Sequence, residues 1–274
     1  MSIVAISETI GSLGADIGRA AATGLGYEFA DREIITKAAE RFGEGLMELK
    51  HAAEEKPTLW ERFSEAQQRY MTYIEAIILE LAAQDNVVLV GRASTVVLRD
   101  APHVVRLRAN APERVRAERV VQQQGLTREA ALDAVRQSDR ELGARVRFFY
   151  HVDWEDPLLY DLVLNTERLS VEEGVRVVQD LLRSERFQTT DVSRSTVTDR
   201  SLTAQAKAVL LANPVTRGQQ IFVSCAQGAL SLTGYVRSEE ERTVAQETVA
   251  KIPGVTSVLN DIIGMPRTHP TLVV

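Results

Sequence analysis

Ile3-Val4-Ala5-Ile6-Ser7-Glu8-Thr9-Ile10-Gly11-Ser12-Leu13-Gly14 decides the fold: an apolar run stops at Ser7, and a polar, glycine-spaced segment leads into helix-patterned Asp16 to Leu25. An apolar run too short for a helix, then a glycine loop, then a helical pattern reads as strand, loop and helix. In an α/β protein such a loop gathers free backbone N–H groups and the positive end of a helix dipole, so Ser7 to Gly14 is a candidate phosphate cradle.

Working outward, Tyr27 to Ala30 suits a second strand, with Asp31 at its carboxyl end positioned to cap a helix beginning near Glu33. Glu44 to Ala83 reads as a helical arm punctuated at Lys56-Pro57-Thr58, with Thr58 as the cap of its second helix. Val87 to Val90 is wholly apolar and suits a strand covered on both faces. His103 to Leu107 and Leu162 to Leu164 are further strands, and Pro112 to Gln123, Thr127 to Tyr150 with a break near Gly143, and Ser170 to Arg186 are helices. Strands alternating with helices predict a doubly wound parallel sheet. Ser184 to Arg200 has few large apolar residues and reads as a linker. The expected division is therefore a first domain over residues 1–186, a linker over 187–200 and a small α+β module over 201–267. In that module Leu202 to Ala212 and Ser238 to Ile252 are helices, while Ile221 to Ala226, Ala229 to Val236 and Thr256 to Ile263 are strands, the first two joined by a Gln227-Gly228 turn.

Bulk properties narrow the function. A chain of 274 residues with 45% hydrophobic and 26% charged content has length for two domains. A formal charge of -6 and a pI near 5.4 argue against a nucleic acid partner or an anionic membrane surface, both of which need a basic face. The single cysteine, Cys225, has no disulfide partner and is expected as a buried strand residue. Met1 to Ser7 lacks a signal-peptide pattern and no 18-residue apolar run follows, so no integral membrane segment and a cytoplasmic location are expected. His51, His103, His151 and His269 are scattered without metal-ligand spacing, and no chemistry is assigned to them.

Val87-Val88-Leu89-Val90-Gly91-Arg92-Ala93-Ser94-Thr95-Val96-Val97, continuing through Asp100-Ala101-Pro102, resembles the strand-Gly-Arg-Asp segment of bacterial cytidylate kinases. Ala111-Pro112-Glu113-Arg114, Asp139-Arg140 with Arg145 and Arg147, and Val163-Leu164-Asn165-Thr166 with Leu169-Ser170 follow in the order of that family's next helix, arginine-rich lid and last strand. Phe29-Ala30-Asp31-Arg32-Glu33-Ile34-Ile35 and Val152-Asp153-Trp154-Glu155-Asp156-Pro157 before Leu159-Tyr160-Asp161 are similar to the divergent cytidylate kinase-like family, and the resemblance covers about residues 1–185.

The resemblance implies a P-loop kinase-like sheet with helical arm and lid, ATP with Mg2+ as donor, and a (d)CMP-like nucleoside monophosphate as acceptor. It implies Arg92, Arg140 and Arg145 at the transferred group, and Gly11, Ser12, Gly14, Asp16 and Arg147 around the donor. Asp31, Arg32 and Gly91 would lie at the acceptor, and Asp16 at the metal. Against the pattern of true cytidylate kinases, Glu8 replaces the first loop glycine, Gly14 the lysine, Asp16 the hydroxyl residue and Ala93 the aspartate after Gly-Arg. Lys37, Lys50 and Lys56 are the lysines of the first domain, and none is in the loop. Losing one preorganised donor costs about 3–4 kcal/mol of barrier, against the roughly 8–23 kcal/mol that enzymes supply. Arginines can substitute, since a guanidinium binds phosphate oxygens in pairs; Arg19, Arg32, Arg92, Arg140, Arg145 and Arg147 are candidates.

Plainer readings stand beside these. Arg92 can be a surface ion-pair residue, Asp16 an acid favoured by the helix dipole, Asp31 a cap and the lid arginines solvated side chains. Trp60 and Trp154 suit packing better than base stacking. Two functions stay open, a slow kinase and a catalytically inactive nucleotide sensor, with a scaffold that binds nothing as a third.

Ala229-Leu230-Ser231-Leu232-Thr233-Gly234-Tyr235-Val236, Ser238-Glu239-Glu240-Glu241 and Ile252-Pro253-Gly254-Val255-Thr256-Ser257-Val258-Leu259-Asn260 resemble a BON domain. Ser238 and Glu241 have capping-box spacing, and Pro253-Gly254 makes the turn into the last strand. The resemblance implies a protein partner or self-association through this module.

Overall fold

The computed structural model describes residues 2–47, 49 and 65–264. Lys50, His51, Lys56 to Thr58, Trp60 and His269, singled out in the sequence, lie outside the described residues. The chain divides into two compact units: residues 1–34, 54–62 and 84–194, and residues 35–53, 63–83 and 195–274.

The first unit is built on five parallel strands: β1 (Ile3–Glu8), β2 (Glu28–Ala30), β3 (Val87–Val90), β4 (Val104–Asn110) and β5 (Leu162–Asn165). Their order is β2-β3-β1-β4-β5. All four β3 residues are buried, as a strand covered on both faces requires. Helix α1 (Gly14–Leu25) puts Ile17, Ala21 and Ala22 against Val4, Ile6, Val88, Val90, Val105 and Leu107 on one sheet face. Residues Val178 and Leu182 of a later helix, Val171–Leu182, complete that layer.

Between these come α2 (Glu33–Phe42), α3 (Glu65–Ala83), the single turn α4 (Ser94–Val97), α5 (Glu113–Gln124), α6 (Arg128–Tyr150) and α7 (Val171–Leu182). Thr127 caps α6 by accepting from the Ala130 N–H, and Ser170 with Glu173 forms a reciprocal capping box on α7. The break expected near Gly143 is absent: α6 runs through it, because the glycine makes room for an aromatic neighbour rather than ending the helix. A Cβ there would stand 2.6 Å from Trp154 Nε1.

Helix α8 (Asp191–Ala212) begins inside the stretch expected to be a linker. Thr190 and Ser193 cap its start reciprocally, each hydroxyl accepting from the other's backbone N–H. Its buried positions include Ser193, Val197, Ser201 and Leu202, a helical stripe of mostly small side chains that composition alone reads as unstructured.

In the second unit, β6 (Gln220–Ala226) and β7 (Ala229–Val236) form an antiparallel hairpin, and β8 (Ser257–Gly264) pairs parallel to β7 after helix α9 (Glu239–Ala250). Leu202, Ala206 and Leu210 of α8 pack with Leu230, Leu232, Ala245, Val249 and Ile262. Asp199, within the expected linker, accepts from the Gln227 and Gly228 N–H groups at 2.8 and 2.9 Å and thereby fixes the hairpin turn. Cys225 is half-buried beside the same carboxylate, and burial pushes its thiol up to about 11. Arg41 of α2 bonds Glu80 of α3 and Gln205 of α8, so the arm helices share this unit's polar framework. Among the described residues, no helix is long and apolar enough to cross a membrane.

Candidate functional site

Adjacent parallel strands β2, β3 and β1 end at one edge of the sheet, where open α/β sheets bind ligands. Asp31 and Arg32 follow β2, Gly91 and Arg92 follow β3, and Ser7 and Glu8 end β1. A small cleft opens there, lined by Ser7, Glu8, Gly91, Arg92, Ala93, Thr95, Val96, Leu142, Val146, Trp154 and Tyr160. Of the residues that the sequence nominated, Gly91 and Arg92 line this cleft.

Gly91, Arg92 and Ala93 have φ of 73°, 54° and 56°, three successive left-handed residues. For the two that carry a Cβ this costs roughly 1–2 kcal/mol each. Strain of this kind collects where a side chain must be aimed at a ligand. The turn is pinned by the Gly91 N–H on the Ile6 carbonyl and the Ser94 N–H on the Gly91 carbonyl, at 2.8 and 3.0 Å. Burial pushes the Asp31 carboxyl up, while the positive charges of Arg92, Arg32 and Arg19 pull it down, so three guanidinium groups act on this one acid.

The glycine loop is closed upon itself. Ser12 N–H donates to the Thr9 carbonyl at 3.0 Å, and the buried Ser12 hydroxyl accepts from Thr9 N–H. Arg119 donates to the Gly11 carbonyl and to Thr166, whose hydroxyl donates to the Ser12 carbonyl at 2.9 Å. Arg116, 3% exposed, makes a bidentate pair with Asp139. Gly11 and Ser12 are thus braced by α5 and the segment after β5.

A carboxyl group of the protein itself lies against the first turn of α1. Glu8 Oε2 accepts from the Ala15 N–H, in the first turn of α1, at 2.6 Å. Burial raises the Glu8 carboxyl to about 7, outweighing the Ala15 hydrogen bond; the negative charges of Asp31 and Asp16 add to the rise, and Arg32 opposes it. Gly14 is where this carboxylate passes: a Cβ on it would stand 2.5 Å from Glu8 Cβ and 2.8 Å from Glu8 Oε2. Asp16 is exposed in the first turn of α1. Among the described residues, no group of three His, Cys, Asp or Glu could hold a metal ion.

The remaining nominated residues are dispersed on α6. Arg140 and Arg147 are exposed, Arg147 lying 3.6 Å from Asp153, and Arg145 is half-buried; α6 gives the cleft Leu142 and Val146. Sequence reasoning missed the cleft's far wall. Arg108, 5% exposed on β4, donates to the Trp154 carbonyl and to Tyr160 Oη, with its guanidinium 4.0 Å from the centre of a Trp154 ring. Tyr160 Oη donates to the Trp154 carbonyl at 2.6 Å and lies 3.4 Å from the Ser7 hydroxyl. Trp154 therefore both packs, at 4% exposure, and forms the wall. The signal available was register: Arg108 pairs with Ser7 across β1 and β4, so both side chains leave the sheet on one face.

Comparison with known proteins gives a consistent picture. Residues 3–168 match the cytidylate kinase-like family, and residues 198–264 match the BON domain. A cytidylate kinase of Pyrobaculum calidifontis is 28% identical over 183 residues, 66% of this chain and 93% of the relative. That of Ignicoccus hospitalis is 28% identical over 184 residues, 66% of this chain and 99% of the relative. A crystal structure of an uncharacterised protein from Eubacterium ventriosum superposes with a TM-score of 0.54 at 17% identity, covering 68% of this chain and all of that one, a likeness of fold.

Proposed function

The chain belongs to the cytidylate kinase-like family and carries a BON domain, and from this we propose that it is a nucleotide-binding protein that holds a nucleoside monophosphate without phosphorylating it. The observation that carries the reading is the contrast between the two halves of the site. On the acceptor side, the strained Gly91-Arg92-Ala93 turn lines the cleft with Arg92, and Arg32 and Arg19 add positive charge near Asp31. Such a set suits a dianionic phosphate. Relatives named cytidylate kinase make a (d)CMP-like base the first candidate.

On the donor side the residues do not fit Mg2+ and ATP in the loop. Gly14 offers no cation, and Glu8 puts a carboxyl group at the helix N-terminus. We therefore route no transfer step through ATP. Signalling to a partner protein or a second copy is assigned to the BON domain, whose sheet leaves Phe222, Tyr235, Leu259 and Ile263 exposed.

A second reading is slow transfer from Mg-ATP to the same acceptor; it is favoured by the relatives' names and by arginines available to replace the lysine. Direct detection of ADP and nucleoside diphosphate from Mg-ATP and each monophosphate separates the two. The sensor reading expects no turnover above that of Arg92→Ala; turnover that disappears in that variant overturns it.

A further inference from the structure

We infer that Glu8 is the resident occupant of the loop's phosphate position, so that this one side chain determines what the cradle admits. The inference rests on the reading of Ser7 to Gly14 as the family's phosphate loop and reaches past it to an autoinhibitory contact. Helix α1 runs for 12 residues and begins at this loop, so its first-turn N–H groups and dipole favour an anion there. The group found there is the Glu8 carboxyl, 2.6 Å from the Ala15 nitrogen.

Two departures from the loop of true cytidylate kinases become one in space. Glu8 stands in place of the first glycine and Gly14 in place of the lysine, and a Cβ at 14 would collide with Glu8 Cβ and Oε2. A lysine at 14 and a glutamate at 8 therefore exclude each other in this backbone. The usual arrangement opens the loop at one end and supplies a cation at the other; this chain fills the opening and removes the cation. The surroundings reinforce the exclusion, since Asp16 and Asp31 add negative charge near Glu8 with Arg32 as the opposing cation. Closure of the loop by Thr9, Ser12, Arg119 and Thr166 keeps the backbone cradle itself intact.

The test is calorimetric titration of the full chain with sodium tripolyphosphate, a probe without a base, and with ATP. Wild type is compared with Glu8→Gly, which empties the position, and Glu8→Gln, which keeps the volume and removes the charge. At pH 8.5, where the Glu8 carboxyl that burial raises to about 7 is ionised, repulsion between like charges at contact predicts tripolyphosphate binding roughly tenfold tighter or more in Glu8→Gly. A smaller gain is predicted in Glu8→Gln, which also serves if the glycine variant does not fold. Affinity unchanged from wild type in both folded variants, or in Glu8→Gln where it alone folds, overturns the inference. Titrating CMP into wild type and Arg92→Ala in parallel keeps the premises apart. Failure of CMP to bind counts against the nucleotide reading, while the tripolyphosphate comparison still decides the role of Glu8.

Discussion

Replacing Gly14 by alanine tests the geometry of the cradle with one methyl group. The new Cβ would lie 2.5 Å from Glu8 Cβ, 2.8 Å from Glu8 Oε2 and 3.3 Å from Ala109 Cβ. Ordinary carbon contacts are about 3.5–4.0 Å, so the end of β1 or the start of α1 must shift. Overpacking of this kind costs about 1–3 kcal/mol, partly masked by the up to 1 kcal/mol that alanine gains over glycine in a helix. The net expectation is a loss of roughly 1–2 kcal/mol, read as a fall of about 2–4 °C per kcal/mol in the thermal midpoint of the first unit. The background decides the cause. In Glu8→Gly the obstruction is gone and Gly14→Ala becomes neutral or stabilising, a coupling of roughly 1–3 kcal/mol. In Glu8→Ala the Cβ remains, and so does most of the cost. The assay is thermal unfolding followed by circular dichroism for the four members of the cycle and the Glu8→Ala pair. Gly14→Ala as stable as wild type, or rescue by Glu8→Ala equal to that by Glu8→Gly, refutes the reasoning.

Three further outcomes follow from the same site. Glu8 moves from 4.5 to about 7 on folding, so the native state keeps a proton that the unfolded chain has lost; this contribution is complete below pH 4.5 and disappears as pH rises through 7. Glu8→Gln removes that dependence, and denaturant titrations should show its stability gaining on wild type by up to roughly 3 kcal/mol across that window. Asp139→Ala strands the Arg116 charge at 3% exposure and should cost on the order of 3–5 kcal/mol in chemical denaturation. Gly143→Ala drives a methyl to 2.6 Å from Trp154 Nε1 and should displace the indole wall, weakening nucleotide affinity and shifting tryptophan emission; unchanged emission and affinity would count against Trp154 as that wall.

Much of the fold was legible because its signals are local. The apolar runs Ile3 to Ile6 and Val87 to Val90 became β1 and β3. Gln227-Gly228 supplied the positive-φ hairpin turn, and Ser238 accepts from the Glu241 N–H as its spacing implied. The stretch before residue 201 was misread because helix α8 buries serines and Val197 instead of large apolar groups, and because Asp199 acts 28 residues away in the chain. The site was half legible. The strand-end position of Arg92 beside the cleft was readable from the apolar run before it, and the departures at Glu8 and Gly14 were visible separately. Their contact was not, since the sequence does not state that the Glu8 side chain folds back over Gly14. Arg108, Trp154 and Tyr160 meet only through the register of β1 against β4 and the return of the chain after α6.

The most direct test of the central claim, that this cleft holds a nucleoside monophosphate through Arg92, is isothermal titration of wild type and Arg92→Ala with CMP, dCMP, UMP, AMP and GMP. Wild type is expected to bind at least one pyrimidine monophosphate saturably. Removing a charged hydrogen-bond partner costs about 1.5–3 kcal/mol, so Arg92→Ala should bind it roughly 10- to 150-fold more weakly. Equal affinity in the two proteins, or no heat with any monophosphate, would contradict it.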